Sequence, residues 1–156
     1  MNNFINKDHG ERSEEQRIIM EQISQDQGCP FCIDFGEKPS HIYHKKPLLE
    51  CGEYWAITTS QYPYDGAIEH FLIVSRAHLE HISELHPNAW TELGRFASML
   101  TKSGMSEGGT FLLRFGDTNK TGASVAHLHA QLVMGGSKDE GGEKMLTQIG
   151  YKKSAS

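Results

Sequence analysis

Apolar and polar positions alternate most sharply in "SVAHLHAQLV", Ser124 to Val133. Leu128, Ala130 and Leu132 fall on one parity and His127, His129 and Gln131 on the other. Period two is a strand signal, because successive side chains of a strand point to opposite faces. The pattern predicts a strand over Ala126–Met134 with three polar groups on one face and three apolar ones turned into a core. The aromatic and β-branched runs "EYWAITTS" and "IEHFLIVSR" predict strands over Tyr54–Thr59 and Ile68–Val74, and "GTFLLRFG" predicts one over Thr110–Phe115.

The spacing changes to three and four elsewhere. "SEEQRIIMEQISQ" predicts an amphipathic helix over Ser13–Gln25, with a capping-box start at Ser13 and Gln16 and with Ile19 and Ile23 on one face. Gly28 ends it. A second helix is predicted from Pro87 to Ser103, closed by Gly104, after a short turn over Leu79–Glu84. Its stripe of Trp90, Leu93, Phe96, Ala97 and Leu100 is expected in the core. "HIYHKKPLLEC" reads as an extended or turn segment, "DTNKTGAS" as a polar loop and "GGSKDEGGEK" as a flexible one. "MLTQIGYKK" reads as a last edge strand or a tail. The order α, β, β, α, β, β with short connections predicts an α+β fold, an antiparallel sheet packed by one main helix. Residues 1–12 are expected to be a flexible N-terminus, 13–152 a single domain, and 153–156 a tail.

Composition narrows the function. At 156 residues, 22% charged and 37% hydrophobic, the chain fits one domain with a sizeable core. A net charge of −5 argues against a nucleic-acid or anionic-membrane partner, which would need a basic surface, but leaves room for a small phosphorylated ligand. No apolar run approaches a membrane span and the N-terminus lacks a signal-peptide pattern, so a cytoplasmic location is expected. Three cysteines are an odd count for a disulfide framework. Cys51 is expected as a lone small residue in or near the core. Cys29 and Cys32 form "CPFC", a spacing that suits two thiolates on one metal or a pair of reduced core cysteines. Two further ligands would have to come from elsewhere. His127 is one source, and His78 or His81 another.

The strand histidines suggest a second chemistry. An imidazole nitrogen can attack phosphorus when its other nitrogen is held by an acceptor, and a mid-strand His129 could find a backbone carbonyl. Just before it, "TGAS" supplies Gly122 for close backbone approach and Ser124 for a hydroxyl and an N–H, the makings of an anion nest. A solvated polar strand face would read the same way.

"HLHAQLV", His127 to Val133, resembles the histidine-triad motif, His-φ-His-φ-His/Gln-φ-φ with φ apolar. "YPYDGAIEHFLIVSRAHLEHISEL" is similar to a strand and turn of that superfamily, "TGASVAHLHAQ" to its phosphate loop and active-site strand, and CPFC with these histidines to its zinc-binding branch. The resemblance spans roughly residues 28–152. It implies a sheet of about five strands and a homodimer. It implies His129 as the nucleophile of a covalent nucleotidyl-histidine intermediate, Ser124, Gln131 and Gly122 at the phosphate, and a closed structural zinc on Cys29, Cys32, His78 and His127. The implied activity is nucleotidyl hydrolysis or transfer, breaking a phosphoanhydride or phosphoramidate bond of a nucleotide or dinucleotide substrate. The implied alternative is a zinc-stabilised nucleotide-binding regulatory module with little turnover. Gln131, in place of a third histidine, is similar to the branch of galactose-1-phosphate uridylyltransferase and diadenosine tetraphosphate phosphorylase. Those enzymes pass the nucleotidyl group to a phosphate acceptor. One departure is "RFGD", where Gly116 stands in place of an Asn that many members carry at the end of the strand before the phosphate loop.

Overall fold

The predicted strands join edge to edge in a computed structural model that describes residues 4–6, 13–103 and 107–154. Nine helices and strands are named here in chain order: α1 (Glu14–Gln25), α2 (Pro30–Phe35), β1 (Leu48–Cys51), β2 (Trp55–Thr59), β3 (Glu69–Ser75), α3 (Pro87–Ser103), β4 (Thr110–Arg114), α4 (Thr118–Thr121) and β5 (His129–Met134). The five strands form one antiparallel sheet in the order β1-β2-β3-β5-β4. This is the expected α+β class. The expected flexible N-terminus, residues 1–12, falls mostly outside the described residues. Of it, Phe4–Asn6 lie against the loop before β5, with Ile5 bridged to Val125. The Gly104 expected to close α3 also lies outside them.

The sheet register sorts side chains to two faces. On one, Phe71 pairs with Leu132 and Ile73 with Ala130, and these join Trp55, Ile57, Leu93, Phe96 and Leu100 in the main core under α3. The Trp55 indole donates to the carbonyl of Ala89 at 2.8 Å and ties sheet to helix. On the other face, Leu72 pairs with Gln131 and Val74 with His129. There α2 packs Phe35 against Ala56 and Val74, and α1 adds a cluster of Met20, Ile23 and Tyr43. The sheet is thus covered on both sides.

Four sequence expectations change. Trp90 is 44% exposed, because the line of α3 that faces the sheet runs Ala89–Leu93–Phe96–Leu100 and leaves Trp90 on its flank. Cys51 is exposed, because it ends β1, a strand at the sheet edge that the sequence showed only as extended or turn. The last predicted strand begins at His129 rather than Ala126. β4 ends at Arg114 opposite His129, so residues 126–128 have no β4 partner. They bond elsewhere, Ala126 N–H to Phe4 O at 2.8 Å and Leu128 N–H to Leu79 O at 2.6 Å. Finally, "DTNKTGAS" is not all loop but contains α4. "MLTQIGYKK" takes the second of its two readings, irregular chain rather than an edge strand.

Two buried carboxylates hold the turns between these elements. Asp34 of α2 accepts the N–H groups of Ile42, Tyr43 and His44 at 2.7–2.9 Å. Glu92 of α3 accepts those of Glu53, Tyr54 and Trp55 at 2.8–3.0 Å. Gly52 is required beside it, since a Cβ there would overlap the Glu92 carboxylate.

Candidate functional site

Cys29 is the N-cap of α2, and Cys32 follows within the helix, so Pro30 and a single turn aim both thiols the same way. The segment between β5 and its preceding loop brings His127 to them, and the turn after β3 brings His78. The four donor atoms lie within 4.8 Å of one another. Cys29 Sγ is 3.3 Å and Cys32 Sγ 3.6 Å from His127 Nδ1, and Cys32 Sγ is 3.4 Å from His78 Nδ1. Sulfur and nitrogen ligands about 2.3 and 2.0–2.1 Å from a tetrahedral zinc would stand roughly 3.5 Å apart.

The outer hydrogen bonds agree with that geometry. His127 Nε2–H donates to Ser75 O at 2.7 Å, and His78 Nε2–H faces Glu80 Oε1 at 3.2 Å. Both imidazoles therefore present a bare Nδ1 to the cluster, as metal-bound histidines held by a carbonyl or carboxylate do. Burial pushes the Cys29 thiol up to about 12 and raises that of Cys32, and burial pushes His127 down to about 4. A neutral His127 is ready to ligate, and buried thiolates require a compensating cation. The donor set fits a zinc ion. His81 does not join it: its Nδ1 caps the turn at Ser83 and its ring packs on Phe115.

His129 lies two residues beyond His127, and its side chain is on the sheet face opposite α3. Its Nδ1 is 2.7 Å from the carbonyl of His127. A carbonyl only accepts, so Nδ1 carries the proton and Nε2 keeps a bare lone pair. Burial, first, and the Arg114 charge lower the His129 pKa, against the raising effect of that hydrogen bond. The ring is buried rather than solvated, and Phe31 of α2 stands edge-on to it at 5.1 Å.

Gln131, the next residue on this face, is oriented by His70, which no sequence motif marks. Tyr64 N–H donates to His70 Nδ1 at 3.1 Å, so the His70 proton sits on Nε2 and is donated to Gln131 Oε1 at 3.1 Å. That leaves the Gln131 amide NH2 without a partner among the described residues. The Ser124 hydroxyl is likewise unengaged there. Gly122 closes α4 with a left-handed φ of 70° and spends its N–H on Thr118 O at 3.1 Å, so it shapes the turn.

These groups form the wall between two cavities. One, about 130 Å³, is largely apolar and runs from His129, Gln131 and Ser124 to Leu72, Phe31 and the α1 side chains Ile19, Met20 and Ile23. The other, about 280 Å³, joins the same three residues to Arg114 and to Leu146–Gln148 of the C-terminal segment. Arg114 is the residue at the end of β4 and pairs with His129. Gly116, the expected departure point, lies two residues past the strand with φ 78° and bonds to Glu80 O at 2.7 Å. Arg114, His70 and α1 carried no motif signal. Only the register of β4 and β3 against β5 brings the first two to the site.

The family model described as "Protein similar to CwfJ C-terminal" matches residues 13–140. Among solved structures, a Zn-bound histidine triad family protein from Mycobacterium smegmatis is similar with a TM-score of 0.55 at 17% identity, over 78% of this chain and 82% of that one. A HIT family hydrolase from Clostridium thermocellum is similar with a TM-score of 0.54 at 20% identity, over 78% and 99%. The histidine triad nucleotide-binding protein from Candida albicans is similar with 0.54 at 18% identity, over 83% and 86%. None of the curated proteins matches. The fold is that of the histidine-triad proteins, as the motif resemblance implied.

Proposed function

The chain belongs to the family of proteins similar to the CwfJ C-terminal region, and from that premise we propose that it is a nucleotidyl hydrolase or transferase acting through His129. The observation that carries this reading is the bare Nε2 of His129 at the wall between an apolar and a polar cavity. The named neighbours from Clostridium thermocellum and Candida albicans, a hydrolase and a nucleotide-binding protein, agree with it. A nucleoside ring enters the apolar cavity. Its α-phosphate lies beside Ser124 and Gln131, whose hydroxyl and amide NH2 donate to the phosphoryl oxygens. His129 Nε2 attacks phosphorus: a P–N bond forms, and the bond to the leaving group breaks with its electron pair on the leaving group. The His127 carbonyl stabilises the positive charge that develops on the ring through Nδ1–H. Water or a phosphate acceptor then takes the nucleotidyl group, losing its proton to solvent, and frees His129.

Cys29, Cys32, His78 and His127 would hold a zinc ion. The chemistry it would supply there is a cross-link between α2, the turn after β3 and the entry to β5, and four protein donors would leave no position for reacting water. His127 thereby anchors the backbone carbonyl that orients His129. The test is acid-labile labelling of the protein by a nucleotide substrate radiolabelled in its α-phosphate. Wild type gains label on His129, and His129→Ala gains none and loses several orders of magnitude in turnover with its fold and metal content unchanged. Nucleotide bound without adduct or product would instead support a zinc-stabilised binding module.

A further inference from the structure

We propose that Arg114 binds a second phosphoryl group on the leaving side of His129, so that the preferred substrate is a phosphoanhydride rather than a phosphoramidate; this deepens, and rests on, the function proposed above. Arg114 pairs with His129 across β4 and β5, so both side chains leave the same face of the sheet. Arg114 lines the polar cavity together with Asp65, Ser124, His129 and Gln131. One nitrogen is committed: Nη2 donates to the carbonyl of Gln148 at 2.5 Å, with Thr147 Oγ1 at 3.4 Å and the Tyr64 hydroxyl at 3.5 Å. Those bonds hold the fork in place. Nε is buried with no partner, and Arg114 forms no ion pair among the described residues, where the pairs run Arg17–Glu14, His78–Glu80 and Arg95–Glu92. Nη1 also has no partner among the described residues and, unlike Nε, is not buried, so it is the donor that an arriving acceptor can reach. A phosphate is the acceptor whose charge and geometry suit a guanidinium.

Gln131 points the same way independently. When His129 attacks the α-phosphorus of a phosphoanhydride, the bridging P–O bond breaks and its electron pair stays on the oxygen of the departing phosphoryl group. That oxygen leaves as an oxyanion and needs no proton. An amine must collect one as its P–N bond breaks, and neither the Gln131 amide nor a guanidinium gives up a proton near neutral pH. Arg114 meets the charge that grows on the departing oxygen, where a preorganised cation in a water-poor site has most effect.

The experiment compares kcat/KM for a dinucleoside tetraphosphate with that for a p-nitrophenyl nucleotide ester, which shares the nucleotidyl group but has a leaving group with no phosphate. In Arg114→Ala the ratio should fall on the order of 100-fold, and Arg114→Lys, which keeps charge without the fork, should fall between. Metal content and melting temperature check that the variants are folded. Equal losses on both substrates, or no loss, overturn the proposal, as does a wild type that prefers a nucleoside phosphoramidate. Should wild type turn over neither substrate, the enzymatic reading fails by itself. Calorimetric titration with a nucleoside diphosphate and the matching monophosphate then decides the Arg114 site. Wild type should bind the diphosphate at least about tenfold more tightly and Arg114→Ala should lose that gain; an unchanged gain in the variant, or none in wild type, overturns it.

Discussion

His44 shows at the scale of one residue how burial makes a histidine pH-sensitive. It is buried against Phe35 of α2, and its Nε2 faces Thr58 Oγ1 at 2.9 Å. Thr58 gives its own hydroxyl proton to Pro47 O at 2.9 Å, so it can only accept from His44. Burial pushes the His44 pKa from 6.5 down to about 4, against the raising influence of Asp34 and with small lowering ones from His41 and Lys46. A depressed folded pKa means that the unfolded chain takes up the proton first. The stability tied to neutral His44 is therefore complete above pH 6.5 and lost as pH falls toward 4. At roughly 1.4 kcal/mol per pH unit, the interval from 6.5 to about 4 comes to about 3–4 kcal/mol. Urea unfolding midpoints across that range should fall less steeply in His44→Gln, whose amide still donates to Thr58 and does not titrate. Parallel pH profiles for the two proteins would refute this. Asp34 is the other residue to test. Asp34→Asn removes a charged acceptor from three N–H groups, two of them buried, and should cost about 3 kcal/mol, read as a lower urea midpoint at pH 7. Neither residue had a signal in the sequence: an Asp in a short apolar helix looks like any other until the loop it binds folds over it.

At the scale of elements, the cluster on α2 makes two predictions. Undialysed protein should carry one zinc per chain by elemental analysis, and its removal by a strong chelator should lower the melting temperature sharply, since structural metal binding is folding free energy. Cys29→Ser should reproduce the metal-free melting curve without further loss on chelation. Metal at substoichiometric levels, or a melting curve indifferent to chelator, would show that these donors hold none. Glu92 does for the β1–β2 turn and α3 what the cluster does for α2. Glu92→Ala strands the N–H groups of Glu53, Tyr54 and Trp55 and should cost on the order of 3 kcal/mol by denaturant unfolding. The CxxC was legible because its spacing alone brings two thiols to one helical turn. The choice of His78 over His81 was not, because both follow β3 closely and only the path of the turn separates them.

The sheet decides what the whole molecule presents to a partner. β4 is bonded on one side only among the described residues, Phe111 on it is 41% exposed, and Trp90 and Met99 on α3 are 44% and 41% exposed. An open strand edge and exposed large apolar side chains invite pairing with a second copy. We expect a homodimer in solution, twice the 17.5 kDa of the chain by light scattering at micromolar concentration, with Phe111→Glu shifting it toward monomer. A monomeric wild type would refute it. No helix among the described residues is long and apolar enough to cross a membrane.

What the sequence determined by itself is what depends on local periodicity. Alternation over Ser124–Val133 identified His129 and Gln131 as neighbours on one strand face, three-and-four spacing placed α1 and α3, and CPFC announced a thiol pair. These are properties of a few consecutive residues, set by backbone geometry whatever surrounds them. Only the tertiary structure decided which tautomers the histidines carry, because the acceptors Ser75 O, His127 O and Gln131 Oε1 are fixed by strand pairing and loop path. Only it set Arg114 opposite His129, through a register between strands that begin 19 residues apart in "TFLLR" and "HAQLVM". Register is a cooperative outcome of every pair in the sheet, so no single stretch of sequence contains it.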